Sequence, residues 1–132
     1  MDTSCLSPLF NFSRITRLWQ EDMKVSYENK LLSLTFVWSV SNNPSDPIDH
    51  CNIYTSTIIE DKNPSVSSPW QSQLVFLGRA YGTSFRVKDL NILNCDLNKS
   101  TLSLEFRVQP VTVSRLKLSA KESPGLILQI LS

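Results

Sequence analysis

A histidine and a cysteine stand side by side at His50 and Cys51, and these are residue types that nucleophilic hydrolases use. A cysteine attacks as a thiolate, so a base would have to touch its sulfur. Both residues fall in a segment that alternates like a β-strand, where neighbouring side chains point to opposite faces. The sequence therefore predicts no Cys–His dyad. We expect His50 to be a partly exposed structural histidine and Cys51 a small buried apolar side chain.

Carboxylate pairs are the second chemistry to consider, because glycoside hydrolysis uses two of them around one bond. The candidates are Asp46, Asp49, Glu60, Asp61, Asp89, Asp96 and Glu105. Most of them fall in predicted turns or at outward positions of predicted strands, and no spacing brings two of them together in a cleft. We interpret them as solvated surface groups and predict no catalytic residue in this chain.

Metal and cofactor sites lack a recognisable motif. The chain has a single histidine, and its three cysteines, Cys5, Cys51 and Cys95, lie far apart without a CxxC spacing. This pattern predicts no metal site, no cofactor and no disulfide framework. Reduced thiols of this kind are typical of a cytosolic protein.

Charge and length exclude several classes of protein. Lys and Arg number 13 against 12 for Asp and Glu, a balance that favours neither nucleic acid nor an acidic membrane surface as a partner. No run approaches the roughly 20 apolar residues of a membrane helix, and the start resembles no signal peptide, so we expect a cytosolic location. The 132 residues suit one domain and are about half of a (β/α)₈ barrel.

Apolar residues recur at every second position through much of the chain, which is the period of a half-buried strand. Strands are predicted at residues 31–40, 48–56, 74–78, 84–90, 101–113 and 126–131. Pro110 is expected to mark a bend or an edge, because proline cannot donate to a ladder. The pattern predicts an all-β, antiparallel immunoglobulin- or fibronectin type III-like β-sandwich over residues 25–132. Residues 1–24 are expected to form a leader or linker, packed on the sandwich as an edge strand or a short helix.

Several large side chains fall outside the clearest core stripes. Leu18, Trp19, Trp70 and Tyr81 are therefore candidates for an interface, since aromatic faces stack on sugars and on partner proteins. Packing in the core or at a hinge is the alternative interpretation of each.

Three segments carry a resemblance to a known family. They are Asp49-His-Cys-Asn-Ile-Tyr-Thr55, then Phe76-Leu-Gly-Arg-Ala-Tyr-Gly-Thr-Ser-Phe-Arg-Val-Lys-Asp-Leu90, and Leu104-Glu-Phe-Arg-Val-Gln-Pro-Val-Thr112. Together they resemble the C-terminal β-sandwich of cytosolic endo-β-N-acetylglucosaminidases, over residues 30–115. The tyrosine corner of many immunoglobulin-like sandwiches is replaced by aliphatic residues or phenylalanine.

The resemblance implies a function for the domain without implying catalysis by this chain. Enzymes of that family cleave the chitobiose core of N-linked glycans with an Asn-x-Glu pair in an N-terminal barrel, and this chain contains neither the barrel nor that pair. The implied role is a non-catalytic accessory module that packs against the catalytic barrel, with an N-glycan as a further candidate partner. Two alternatives stay open, an independent fibronectin-like protein-interaction module and a small hydrolase with its own site.

Overall fold

Eight β-strands make up most of residues 12–63 and 68–131, which are the residues described in this computed structural model. The strands are β1 (Arg14–Ser26), β2 (Leu31–Ser41), β3 (Ile48–Asp61), β4 (Trp70–Gln71), β5 (Val75–Ala80), β6 (Ser84–Asn91), β7 (Ser100–Thr112) and β8 (Gly125–Ile130). A single turn of 3-10 helix at Ala120–Glu122 lies between β7 and β8.

The strands form two antiparallel sheets. A small sheet has the order β1-β2-β6, and a large sheet has the order β4-β3-β7-β8, with β5 also paired to β3. Strands β3 and β7 pair along their whole length, from Ile48 opposite Thr112 to Asp61 opposite Ser100, and form the centre of the large sheet. The immunoglobulin-like β-sandwich predicted from the alternation is confirmed.

The core is built from the apolar stripes that the alternation predicted. Phe36 of β2 and Phe106 of β7 meet across the two sheets, with ring centroids 4.6 Å apart. The side chains buried around them include Leu32, Leu34, Trp38, Ile53, Leu102, Leu104 and Val108. Burial of these side chains is the main source of stability, at roughly 25 cal/mol for each Å² of apolar surface removed from water.

β1 is the long strand with the weakest alternation in the sequence. It pairs with β2 from Arg14 to Ser26, with register shifts after Ile15 and after Glu21, and Asp22 adopts a φ of 52° within the second shift. Each bulge inserts a residue and breaks the period of two, so no continuous alternation survives. The domain boundary predicted between residues 24 and 25 falls inside this strand. The predicted leader's residues 1–11 lie outside the described part of the chain.

Pro110 lies inside β7 without interrupting it. Val108 N donates to Pro124 O, and Thr112 N donates to Leu116 O, both on the side of β7 that faces away from β3. The pairing of β7 with β8 ends at Arg107, so no strand lies opposite Pro110 on this side and its missing N–H leaves no ladder hydrogen bond unmade. Pro110 therefore occupies a local edge of β7, as its sequence position predicted.

Candidate functional site

His50 and Cys51 begin β3 but face opposite sides of the large sheet. Cys51 points inward and is fully buried, and that burial raises the pKa of its thiol to about 12. His50 Nδ1 lies 2.7 Å from Asp49 Oδ2, and its ring centroid is 6.0 Å from that of Tyr81. The two side chains form no dyad, as the strand geometry predicted. The expectation of partial exposure for His50 was wrong, because this side chain is buried.

Two carboxylates near the start of β3 hold the loop that follows β7. Asp46 accepts hydrogen bonds from Ser114 N at 2.8 Å and from Ser114 Oγ at 2.5 Å, and the side-chain bond is the main cause that lowers the pKa of Asp46. The pKa of Asp49 is lowered chiefly by the hydrogen bond to His50, and Arg115 Nη1 lies 3.5 Å from the same carboxylate. Both carboxylates therefore have structural partners.

The prediction of a solvated carboxylate was wrong for Glu105. Its side chain points outward from β7, as predicted, but the residue is only 7% exposed. Glu105 Oε1 accepts from Arg107 Nε at 2.6 Å, and Oε2 accepts from Gln71 Nε2 at 3.2 Å. Gln71 belongs to the edge strand β4, and Arg107 Nη1 also donates to Ser123 O at 2.8 Å. Segments on both sides of β7 therefore cover most of this carboxylate.

A second group of polar side chains continues along the same outer face. Gln109 Oε1 accepts from Asn52 Nδ2 at 3.0 Å and from the hydroxyl of Tyr54 at 3.2 Å. Gln109 Nε2 donates to Leu118 O at 2.7 Å, which ties the loop between β7 and β8 to the sheet. The Oδ1 atom of Asn52 is buried without a hydrogen-bond partner among the described residues. The outer face of β3 and β7 is therefore a polar layer covered by two segments, residues 71–74 on one side and the loop between β7 and β8 on the other.

A polar groove of about 460 Å³ lies between those two segments. Its floor is Glu105 and Arg107, one wall is residues 71–74, and the other wall is Lys121 of the 3-10 helix. Lys121 makes no ion pair with any described residue. We refer to this feature as the polar groove; it contains one carboxylate, two cations and amide groups.

An apolar cleft of about 250 Å³ lies at the end of the sandwich where β1 begins. Its apolar lining residues are Phe12, Ile15, Pro110, Leu116, Leu118 and Pro124. Leu116 and Leu118 are 49% and 38% exposed, and Val113 of the same loop is also exposed. Several large apolar side chains of one short loop therefore form an exposed apolar surface here.

Within 12–63 and 68–131, no three His, Cys, Asp or Glu side chains come together in a way that could hold a metal ion. No helix in that part of the chain has the length and apolar character needed to cross a bilayer.

Comparison with known protein families gives a match that spans nearly the whole chain. The model of the ENGASE1-like, C-terminal immunoglobulin-like domain matches residues 9–131. The chain belongs to this family. The resemblance to the C-terminal sandwich of endo-β-N-acetylglucosaminidases is confirmed, and it extends beyond residues 30–115 on both sides. No curated protein and no solved structure matches the chain.

The four interface candidates of this ENGASE1-like domain lie in separate places. Leu18 packs against the core from β1, whereas Trp19 faces the other side of that strand, where Arg17 stacks 4.6 Å from its ring centroid. Trp70 is exposed in the edge strand β4, and Tyr81 is 72% exposed after β5. These residues do not form one contiguous surface around a shared pocket. A contact of any one of them with a partner stays a prediction.

The polar groove and the apolar cleft of the ENGASE1-like domain were both missed from the sequence. A signal for the groove was present, because Glu105, Arg107 and Gln109 alternate with core residues in the long strand predicted at 101–113. A central strand with charged residues on its second face needs either solvent or partners there. The signal for the cleft was weaker, since Leu116 and Leu118 fall between the strands predicted at 101–113 and 126–131.

Proposed function

We propose that this chain is the non-catalytic accessory domain of a cytosolic endo-β-N-acetylglucosaminidase, an enzyme that acts on the chitobiose core of N-glycans. The single observation that carries this proposal is the family match over residues 9–131. The described residues are consistent with it, since His50 binds its own neighbour and Cys51 is buried with a pKa of about 12. Turnover would then belong to the catalytic barrel, and this domain would support it.

The apolar cleft is the surface by which we propose that the domain contacts the barrel. A domain that is C-terminal in its family is joined to the rest of its enzyme through its own N-terminal end. The cleft lies at that end, because Phe12 and Ile15 line it beside Leu116 and Leu118. Covering half-exposed leucines would add hydrophobic stabilisation at a domain interface.

The test mixes the purified chain with a separately expressed barrel of the family and measures both association and release of glycan from a glycopeptide. We expect a complex and a higher activity or longer thermal lifetime of the barrel. Leu116→Asp should weaken the complex at least tenfold, since a charge would be buried against apolar groups. Ile127→Asp is the matched control, because Ile127 is an exposed apolar residue of β8 outside the cleft.

The outcomes separate the alternatives. Association that both variants retain would refute the cleft as the contact and would direct attention to Trp19, Trp70 and Tyr81. Absence of any association would refute the accessory role and favour an independent protein-interaction module. Glycan release by the chain alone would refute the non-catalytic assignment.

A further inference from the structure

The outer side of β8 is an open sheet edge, and we propose that it pairs with the β8 of a second copy of this chain in an antiparallel dimer. β8 bonds to β7 on one side, and no strand among the described residues pairs with its other side. A strand with one free side offers a row of unpaired N–H and C=O groups to any strand that approaches it. This row is a docking surface for an extended segment.

The other strands at the sheet edges carry features that discourage such pairing. β1 and β6 contain several charged residues, and β1 also has two register shifts. β5 contains Arg79 and has a register shift in its pairing with β3, and β4 is only 2 residues long. Charges, bulges and short length are the ways in which proteins protect sheet edges. β8 lacks charge and bulge, since its sequence is Gly-Leu-Ile-Leu-Gln-Ile and it pairs with β7 without a register shift.

The hydrogen-bonding pattern identifies which backbone groups of β8 are free. Val108 N donates to Pro124 O, one residue beyond the last pair of the ladder between β7 and β8. Bonded and unbonded pairs alternate along an antiparallel ladder, so residues 126, 128 and 130 bond to β7. The N–H and C=O groups of Ile127 and Gln129 therefore point away from β7, toward the open side.

A second copy of β8 matches this edge in length, in register and in charge. An antiparallel pair with its two-fold axis at Leu128 places Ile127 of each copy opposite Gln129 of the other. Outward-facing residues then meet outward-facing residues along the strand, and each such pair can exchange both of its N–H···O bonds. No like charges meet, because β8 contains no charged residue. Pairing with β1 or β6 of another copy would instead bring β8 against charged side chains.

Apolar side chains on both faces of β8 would lose exposed surface in this pair. Leu126 and Leu128 contact the core but remain partly exposed. The two Leu128 side chains become direct neighbours at the axis, and Ile127, which is 62% exposed, lies beside Gln129 of the second copy. Exchange of backbone hydrogen bonds with water for bonds between copies gives a modest net gain, and burial of apolar surface adds to it. The edge therefore offers a driving force beyond its backbone groups.

The experiment measures self-association of the full chain by sedimentation equilibrium and by NMR of the ¹⁵N-labelled protein. We expect a monomer–dimer equilibrium for the unchanged chain. The backbone amide signals of Ile127 and Gln129 should shift, and their hydrogen exchange should slow, as the protein concentration rises. The amides of Leu126 and Leu128 already bond to β7, so their exchange should depend much less on concentration.

Two double variants test the register of the pair. Ile127→Lys with Gln129→Lys places like charges opposite each other across the axis and should weaken dimerisation about tenfold or more. Ile127→Lys with Gln129→Glu is the matched control, because it places opposite charges there, and its dimer should stay within about threefold of the unchanged chain. Both side chains are exposed, so both double variants should fold.

A chain that stays monomeric up to about 1 mM would overturn the proposal. Equal dimerisation of the two double variants would overturn the pairing about Leu128. Concentration-dependent signals that leave Ile127 and Gln129 unchanged would also overturn it and would assign the association to another surface. The result is separate from the accessory role, since the experiment contains no barrel and the proposed barrel contact uses the apolar cleft.

Discussion

Glu105 and Arg107 form an ion pair on the outer face of β7, with Glu105 Oε1 2.6 Å from Arg107 Nε. The two residues are two positions apart, so their side chains leave the strand on the same side. Neighbouring segments cover the pair, and Glu105 is only 7% exposed. Removing one partner of a covered ion pair destabilises a fold, because the other charge is left buried without compensation.

Arg107→Ala is therefore expected to destabilise the fold by about 3 kcal/mol, since it leaves the Glu105 carboxylate unpaired and also removes the bond to Ser123 O. Chemical denaturation measures this loss. Arg86→Ala is the control, because Arg86 is exposed and should change stability by no more than about 0.5 kcal/mol. Equal effects of the two variants would show that the ion pair does not stabilise the fold.

Gly125→Ala should destabilise the protein, by about 1–3 kcal/mol. A Cβ at this position would lie 2.7 Å from Phe106 O, a backbone atom that cannot turn away, and 2.8 Å from Arg107 Cδ. Gly82 provides the comparison, since a Cβ there would meet nothing within 4 Å. Gly82→Ala should leave the melting temperature unchanged or raise it, because it restricts the unfolded chain. A melting temperature lowered equally in both variants would contradict the predicted close approach at Gly125.

Asp46 is expected to contribute to the acid sensitivity of the fold. Its pKa is lowered from 3.8 in the folded state, chiefly by the hydrogen bond from Ser114, so the unfolded state binds a proton more readily. The stabilisation is present above pH 3.8 and is lost as the pH falls through the lower folded-state pKa. Asp46→Asn should flatten the acid limb of stability against pH, as measured by urea denaturation at several pH values. An unchanged limb would assign the acid sensitivity to other carboxylates.

Cys51 should be unreactive in the folded protein. Burial raises the pKa of its thiol to about 12, so almost none of it is thiolate at neutral pH. In a variant with Cys5→Ala and Cys95→Ala, a thiol reagent should label Cys51 only as the chain unfolds. The same variant in denaturant serves as the control for full labelling. Labelling in native buffer at the rate seen in denaturant would show that Cys51 is accessible.

Much of the architecture could be predicted from the sequence, because the alternation of apolar and polar residues is a local property of each strand. The stripes around Phe36 and Phe106 predicted strands close to those observed, and they predicted the faces that form the core. β1 was harder to predict because its bulges interrupt the period, and β4 is too short at Trp70–Gln71 to show one. The strand predicted at 48–56 continues to Asp61 in the structure, because residues 57–61 pair with residues 100–104 of β7.

The sandwich and the inward direction of Cys51 could be predicted from the sequence because alternation is visible among neighbouring residues, and the family could be predicted because its motifs are short segments. The environment of Glu105 could not, because it depends on Gln71 from β4 and on the segment around Ser123. The same holds for the apolar cleft, where Ile15 meets Leu116. Alternation predicts which face of a strand a side chain occupies, whereas the exposed fraction of that side chain depends on distant segments that fold over the face.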